Sequence, residues 1–265
     1  MISNALDSLK SYIKIPPKVG IVLGSGLQRL SSLLDDMQII KYSDIPSFIN
    51  TSVDGHAGEF IIGKVNGLDV ICANGRFHYY EGLTYDKVHI IIDIFHKIGC
   101  EYIITTNSSG CLESSWAPGD LMLIDSHIDM TFRDAIDVID RKHGDEYYNT
   151  KLYQIATEAM QEMNLPLRTG TYGWTLGPTY ETPAEIKLMQ SLDIQAVGMS
   201  TVPEIERAHQ LGMKLIGIAC LTNYAVGISP NPLTHDEVVE QANKSGEQFS
   251  KLILNILNRI KTIKD

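Results

Sequence analysis

With 265 residues, 44% of them hydrophobic and 20% charged, the chain is long enough for one large domain and has the make-up of a water-soluble globular protein. Its net charge of −10 argues against a nucleic-acid binder and leaves room for one local basic site on a small anion. No apolar run reaches the length of a membrane span, and the N-terminus lacks a signal-peptide plan. Cys72, Cys100, Cys111 and Cys220 stand far apart, without CxxC or HExxH. A cytoplasmic protein with buried free thiols, no metal site and no membrane or nucleic-acid partner is expected.

In chain order, Val19–Leu23 reads as a buried strand that runs into a Gly24-Ser25-Gly26 turn, and Leu27–Leu34 then reads as helical. A dinucleotide fingerprint needs a third glycine where Arg29 stands, and a triphosphate loop needs a Gly-Lys-Ser/Thr ending that is absent. What remains is either a small-anion cradle at a helix N-terminus or an ordinary strand-to-helix turn. Phe60–Val65 and Leu68–Ala73 flank Asn66-Gly67, a two-residue hairpin signal, so the sheet is mixed. Tyr102–Thr106 and Leu121–Ile124 read as buried strands, and Asp134–Asp145 as a long mobile loop. Thr182-Pro183-Ala184-Glu185 predicts a capping box with proline at the first helical position. The strand signal Ala196–Met199 leads into a second such box, Thr201-Val202-Pro203-Glu204, on a helix closed by Gly212. Leu215–Leu221 is a further strand, and Phe249, Ile253, Ile256, Leu257 and Ile260 lie at helical spacing. No linker or repeat divides the chain. Residues 1–265 are expected to form a single α/β domain, a central mixed β-sheet with helices on both faces.

Polar residues gather at the ends of the apolar runs, where open α/β sheets place their ligand crevice. Ser25, the stretch Asn74–Gly82, Thr106–Gly110, Gly177–Thr182, Gly198–Thr201 and Thr222-Asn223-Tyr224 all stand there. Arg76 and His78 alternate and can face one way in an extended segment. Each alone reads as a surface ion pair or a structural histidine. Beside Ser25 and Ser200 they read as an oxyanion site. Glu81 reads as a support of the HYY turn, acting through Arg76. His89, His96, His127 and His209 fit no ligand spacing and read as structural. Taken singly, Glu181 is also a helix-start charge, Met199 also core, and His235 also the start of the last helix.

LGSGL, GRFHYYEG, TNSSG, GPTYETPAEI, AVGMSTVPE, LTN and HDEV occur in this order at compatible spacing. Together they resemble the trimeric purine nucleoside phosphorylase family, from about residue 18 to the C-terminus. The resemblance implies phosphorolysis of a purine nucleoside to free base and ribose 1-phosphate. Inorganic phosphate is then the co-substrate, no metal or organic cofactor takes part, and the assembly is a homotrimer. It puts phosphate on Ser25, His56, Arg76, His78, the backbone near Ser108, and Ser200. It puts ribose on Tyr80, Met199 and His235, and the base on Tyr180, Glu181, Val197 and Asn223. His78, Glu181 and Asn223 are the implied catalytic residues, and Glu181 with Asn223 implies 6-oxopurines such as inosine and guanosine.

The sequence also departs from the family. Ser108-Ser109-Gly110-Cys111 replaces the usual Ala-Ala-Gly-Gly, Tyr180 stands where phenylalanine is common, and the loop after Met130 is shortened. His143-Gly144 occupies the place of a Phe-Gly pair that reaches a neighbouring subunit's ribose in relatives. Three rivals are weaker. A methylthioadenosine phosphorylase carries an acidic residue at the Asn223 position. A binding module without turnover has no need of the phosphate set. A nicotinamide-dependent oxidoreductase needs the missing glycine.

Overall fold

The computed structural model describes residues 1–51, 57–133, 139–228 and 235–263, without the side chains of 31 and 235–244. The strands among these are β1 (Val19–Leu23), β2 (Asp35–Lys41), β3 (Glu59–Val65), β4 (Leu68–Asn74), β5 (Tyr102–Cys111), β6 (Leu121–Asp129), β7 (Arg141–His143), β8 (Arg168–Trp174), β9 (Ala196–Gly198) and β10 (Lys214–Tyr224). The α-helices are α1 (Ile2–Lys10), α2 (Tyr85–Val88), α3 (Ile90–Ile98), α4 (Thr150–Glu162), α5 (Pro183–Ser191), α6 (Val202–Gln210) and α7 (His235–Ile260).

The strands form one mixed sheet. It runs β2-β3-β4-β1-β5 as an open wing, and β5 then pairs with both β10 and β9. Since β10-β6-β8-β9 are themselves neighbours, that half of the sheet closes into a ring through β5, with β7 on the outside of β6. β1, β4, β5 and β10 are mutually parallel where they pair, so their carboxyl ends share one edge of the molecule. β3 and β4 are the expected hairpin, with Asn66 and Gly67 at φ +49° and +82° as a tight turn of that hand requires.

Alternation along the central strands feeds two cores. Val22, Ile71, Ala73 and Ile103 pack on Ala5, Leu9, Ile91, Phe95 and Ile205 of α1, α3 and α6. Their neighbours Ile21, Leu23, Cys72 and Ile104 point the other way, onto Leu152 and Ala156 of α4 and Phe249, Ile253 and Ile256 of α7. Both faces of the sheet are therefore covered by helices, and full burial of each such aliphatic side chain is worth roughly 1.5–3 kcal/mol. Asn149 caps α4 by accepting from the Leu152 amide, and the Thr182–Glu185 box caps α5. The four cysteines are free and buried, and among the described residues no helix is long and apolar enough to cross a membrane.

Three local expectations are corrected. Gln28–Leu33 after the glycine turn is a 3-10 helix, so the turn is followed by a short, tightly wound segment with a small dipole. The stretch read as a mobile loop contains β7, which Ser126, His127 and Ile128 hold by antiparallel pairing; residues 134–138 of it lie outside the described residues. Thr201 precedes α6 without a side-chain cap, because its hydroxyl accepts from Arg76 and Asn107 while the Glu204 carboxylate pairs with Arg76.

Candidate active site

The parallel strand ends surround a cavity of about 370 Å³. At its β1 end the Gly24 amide donates to Thr106 Oγ1 at 3.1 Å, laying the Gly-Ser-Gly turn flat on β5. A Cβ at Gly24 would stand 2.7 Å from Asn107 Cα, and Gly26 has φ +76°, so both glycines are required by the geometry. The Ser108 hydroxyl donates to the Ser25 carbonyl at 2.7 Å and clamps the turn from the other side. Ser25 is thereby fixed at the cavity wall beside Ser108.

Arg76 enters from the end of β4 and is 1% exposed. Its Nη1 donates to Ser200 Oγ and Thr201 Oγ1, both at 2.8 Å, and its Nη2 to the Thr106 carbonyl. Its charge is met by Glu204 on α6, with Nε 3.3 Å from Oε1, and Thr105 donates its hydroxyl to the same carboxylate. Burial pushes the Glu204 carboxyl up, against the pull of Arg76. Thr201 holds φ +77°, a strained conformation for a β-branched residue, and the hydrogen bonds it accepts from Arg76 and Asn107 oppose that strain. The guanidinium is thus a fixed floor under Ser200 and no swinging surface cation.

His78 follows Arg76 in extended backbone and stacks on Tyr80, ring centroids 4.8 Å apart. Glu81 accepts from the His78 amide at 2.7 Å and lies 3.4 Å from its Nδ1. The support expected of Glu81 through Arg76 therefore reaches His78, while the carboxylate on Arg76 is Glu204. Burial holds the His78 imidazole below its ordinary value; Glu81 opposes this and the Arg76 charge adds to it.

The opposite end of the cavity is built from β8, β9 and β10. Val197 and Met199 flank Gly198 on the wall, and Tyr180 and Glu181 come from the connection between β8 and α5. Glu181 Oε1 accepts the Thr175 hydroxyl at 2.8 Å, and burial pushes its carboxyl above the usual range despite that bond. The β5–β10 register slips between Leu221 and Asn223, and this irregularity turns Asn223 toward the cavity opposite Gly110. A Cβ at Gly110 would crowd the Asn223 amide at 3.4 Å and Val197 at 3.3 Å. Thr222 donates to Asn223 Oδ1 at 2.9 Å, and Nδ2 donates to the Tyr224 carbonyl at 3.0 Å. An amide nitrogen has two protons, so the second is available to a ligand.

Ser25, Arg76, His78, Tyr80, Ser108, Tyr180, Glu181, Val197, Met199, Ser200 and Asn223 therefore line one cavity. His56 lies outside the described residues, and His235 begins α7 with its side chain outside them. His143 is exposed on β7, opposite Ser126, and is not among the residues lining this cavity. Sequence reasoning missed Thr105 and Thr175; it placed Thr201 and Thr222 at the crevice and Glu204 in a capping box, without their roles under Arg76 and behind Asn223. One signal was present: a buried arginine needs a buried carboxylate, and Glu204 stands soon after Ser200, between Val202-Pro203 and Ile205.

The family model for the phosphorylase superfamily matches residues 18–258. Purine nucleoside phosphorylase 1 of Geobacillus stearothermophilus is 40% identical over 98% of this chain and 97% of its own length. The Rattus norvegicus purine nucleoside phosphorylase is 33% identical over 95% of this chain and 92% of its own. The crystal structure of Schistosoma mansoni purine nucleoside phosphorylase in complex with inosine superposes with a TM-score of 0.86 at 28% identity, over 100% of this chain and 96% of that one. A crystal structure of Schistosoma mansoni purine nucleoside phosphorylase in complex with adenosine gives a TM-score of 0.87 at 28% identity, over 100% of this chain and 98% of that one. A fold, a cavity and relatives that agree over nearly the full length place the chain in the phosphorylase superfamily, among the purine nucleoside phosphorylases, which are pentosyltransferases.

Proposed function

We propose that this enzyme phosphorolyses 6-oxopurine nucleosides, inosine and guanosine and their 2′-deoxy forms, to free base and pentose 1-phosphate for purine salvage. Inorganic phosphate is the co-substrate, and the reaction uses no metal or organic cofactor. The observation that carries this reading is a single cavity with Arg76, Ser25 and Ser200 at one end and a carboxylate and an amide, Glu181 and Asn223, at the other. Phosphate held at the first end attacks C1′ of the pentose. The new O–C1′ bond forms as the C1′–N9 bond breaks, and the electron pair of the broken bond moves into the purine. An N–H of Asn223 at purine N7 stabilises that charge as it develops. The ionised Glu181 accepts the N1–H of a 6-oxopurine. Tyr80 and Met199 hold the pentose between the two ends, and the fixed guanidinium supplies orientation at little entropic cost.

In this reading the protein is a cytoplasmic homotrimer, and the exposed His143 of one copy covers a neighbour's ribose. Initial rates with inosine, guanosine, adenosine and methylthioadenosine, with and without phosphate, are the test, together with the molar mass by light scattering. Phosphate-dependent release of hypoxanthine from inosine, much slower attack on adenosine and a threefold subunit mass are expected. Equal rates on inosine and adenosine would overturn the 6-oxo assignment, and a monomer would overturn the assembly.

The clamp on the glycine turn gives a second expectation. Ser108→Ala removes one neutral hydrogen bond, worth about 1 kcal/mol. The KM for phosphate should rise about fivefold, with the KM for nucleoside unchanged. If the two rise together, Ser108 acts on the whole cavity and not on the Ser25 turn.

A further inference from the structure

We propose that Thr175 is a positioning residue for base recognition, holding Glu181 in the orientation in which it takes a 6-oxopurine. This deepens the function proposed above and rests on it. Glu181 is carried by an irregular connection, and besides its own backbone amide the donor to its carboxylate is the Thr175 hydroxyl. Thr175, by contrast, stands at the end of β8, where its amide donates to the Gly198 carbonyl at 2.9 Å. Gly198 lies between Val197 and Met199, the cavity wall at this end. The Thr175 hydroxyl, 2.8 Å from Glu181 Oε1, therefore ties the loop-borne carboxylate to the same sheet position that sets that wall. Among the described residues its one other close acceptor is the Gly198 carbonyl at 3.5 Å, so the single hydroxyl proton has two places to go there and the nearer is the carboxylate.

That choice bears on specificity. With the hydroxyl proton on Oε1, the carboxylate is favoured in its ionised form and its other oxygen is left as a pure acceptor, matching the N1–H of hypoxanthine or guanine. Without it, Glu181 is left half-buried with one donor fewer, and protonation becomes easier. A protonated Glu181 donates, and so matches the bare N1 of adenine. The other titratable or charged groups around it are Glu185 on α5, which also raises it, its neighbour Tyr180, and Arg76, His78 and Tyr80 across the cavity. None of these offers the carboxylate a hydrogen bond in the structure as Thr175 does.

The experiment compares wild type, Thr175→Val, Thr175→Ser and Glu181→Gln in phosphate-dependent cleavage of inosine and adenosine across pH. Thr175→Val keeps the shape and deletes the donor. Losing a hydrogen bond to a charged group should lower kcat/KM for inosine roughly ten- to hundredfold, mainly through KM. The acid limb of the inosine profile should move to higher pH, since activity is lost as pH falls through a Glu181 value that has risen. The adenosine-to-inosine ratio should increase, and Thr175→Ser should restore all three. A wild-type acid limb and ratio in Thr175→Val, or a Thr175→Ser enzyme as impaired as Thr175→Val, overturns the proposal while Glu181→Gln remains impaired on inosine. If wild type does not cleave inosine, or Glu181→Gln is unimpaired, the functional reading itself fails, and the proposal with it.

Discussion

Arg76→Ala is expected to damage both the phosphate site and the fold. The guanidinium is 1% exposed, and Nη1 reaches the Ser200 hydroxyl that faces the cavity, so its removal strips a charged donor and unseats a neutral one. The KM for phosphate at saturating inosine should rise more than tenfold, by the usual value of a hydrogen bond to a charged group. Removal also strands Glu204, 2% exposed, as an uncompensated buried charge. Breaking such a pair costs about 3–5 kcal/mol and should lower Tm by roughly 10 °C. The deficit has a pH dependence. In the variant the folded-state carboxyl lies above its unfolded value, so the deficit is smallest below the unfolded value and grows until pH passes the folded one. Arg76→Ala/Glu204→Gln should recover much of the stability and none of the phosphate affinity. An unchanged phosphate KM in either variant would remove Arg76 from the phosphate site, and an unchanged Tm in Arg76→Ala would dismiss the pair as a structural element.

The second large effect belongs to Asn223→Asp. Thr222 would still donate to one oxygen, but the other would face the Tyr224 carbonyl that Nδ2 now meets at 3.0 Å. The variant therefore loses the N–H for purine N7 and gains an oxygen that repels both Tyr224 and the departing base. Loss of one donor to developing negative charge typically costs 10²- to 10³-fold, and kcat/KM for inosine should fall by about that much. Adenosine should suffer less, because an acceptor at this place can take a proton of the 6-amino group. The ratio of the two specificity constants is the measurement. A ratio equal to wild type would remove Asn223 from base recognition.

Much of the fold could be read from the sequence because its central strands are long apolar runs and its turns have distinctive chemistry. Val19–Leu23 coincides with β1, and Asn66-Gly67 and the Thr182 box form as the residues demand. The failures have physical causes. The second capping box matches the same pattern, yet the Thr201 hydroxyl and the Glu204 carboxylate are both captured by an arginine distant in sequence. Arg141–His143 is polar enough to read as loop, and becomes a strand only through backbone pairing with β6. Ring closure through β5 leaves no mark on periodicity at all. At the site, the motifs named residues that the structure brings together around one cavity. The roles of the threonines and Glu204 that hold them could not be read, because a threonine in a strand looks the same whether or not its hydroxyl has a task.

The closed half of the sheet also sets an order of assembly. β5 meets β1 from early in the chain and β10 from late in it, and the ring shuts only when that distant strand docks. Contacts so far apart in sequence incur their loop-closure entropy before they return any stabilisation, which makes closure a slow folding step. On the ribosome, the wing of β1 to β5 is complete while β10 and α7 are still to be made, so the emerging chain carries an unpaired β5 edge and a bare core face. Asn223 rides on the strand that ends this exposure. The part of the cavity that carries Asn223 therefore comes into being together with the closed ring, and a chain that has not finished folding lacks it.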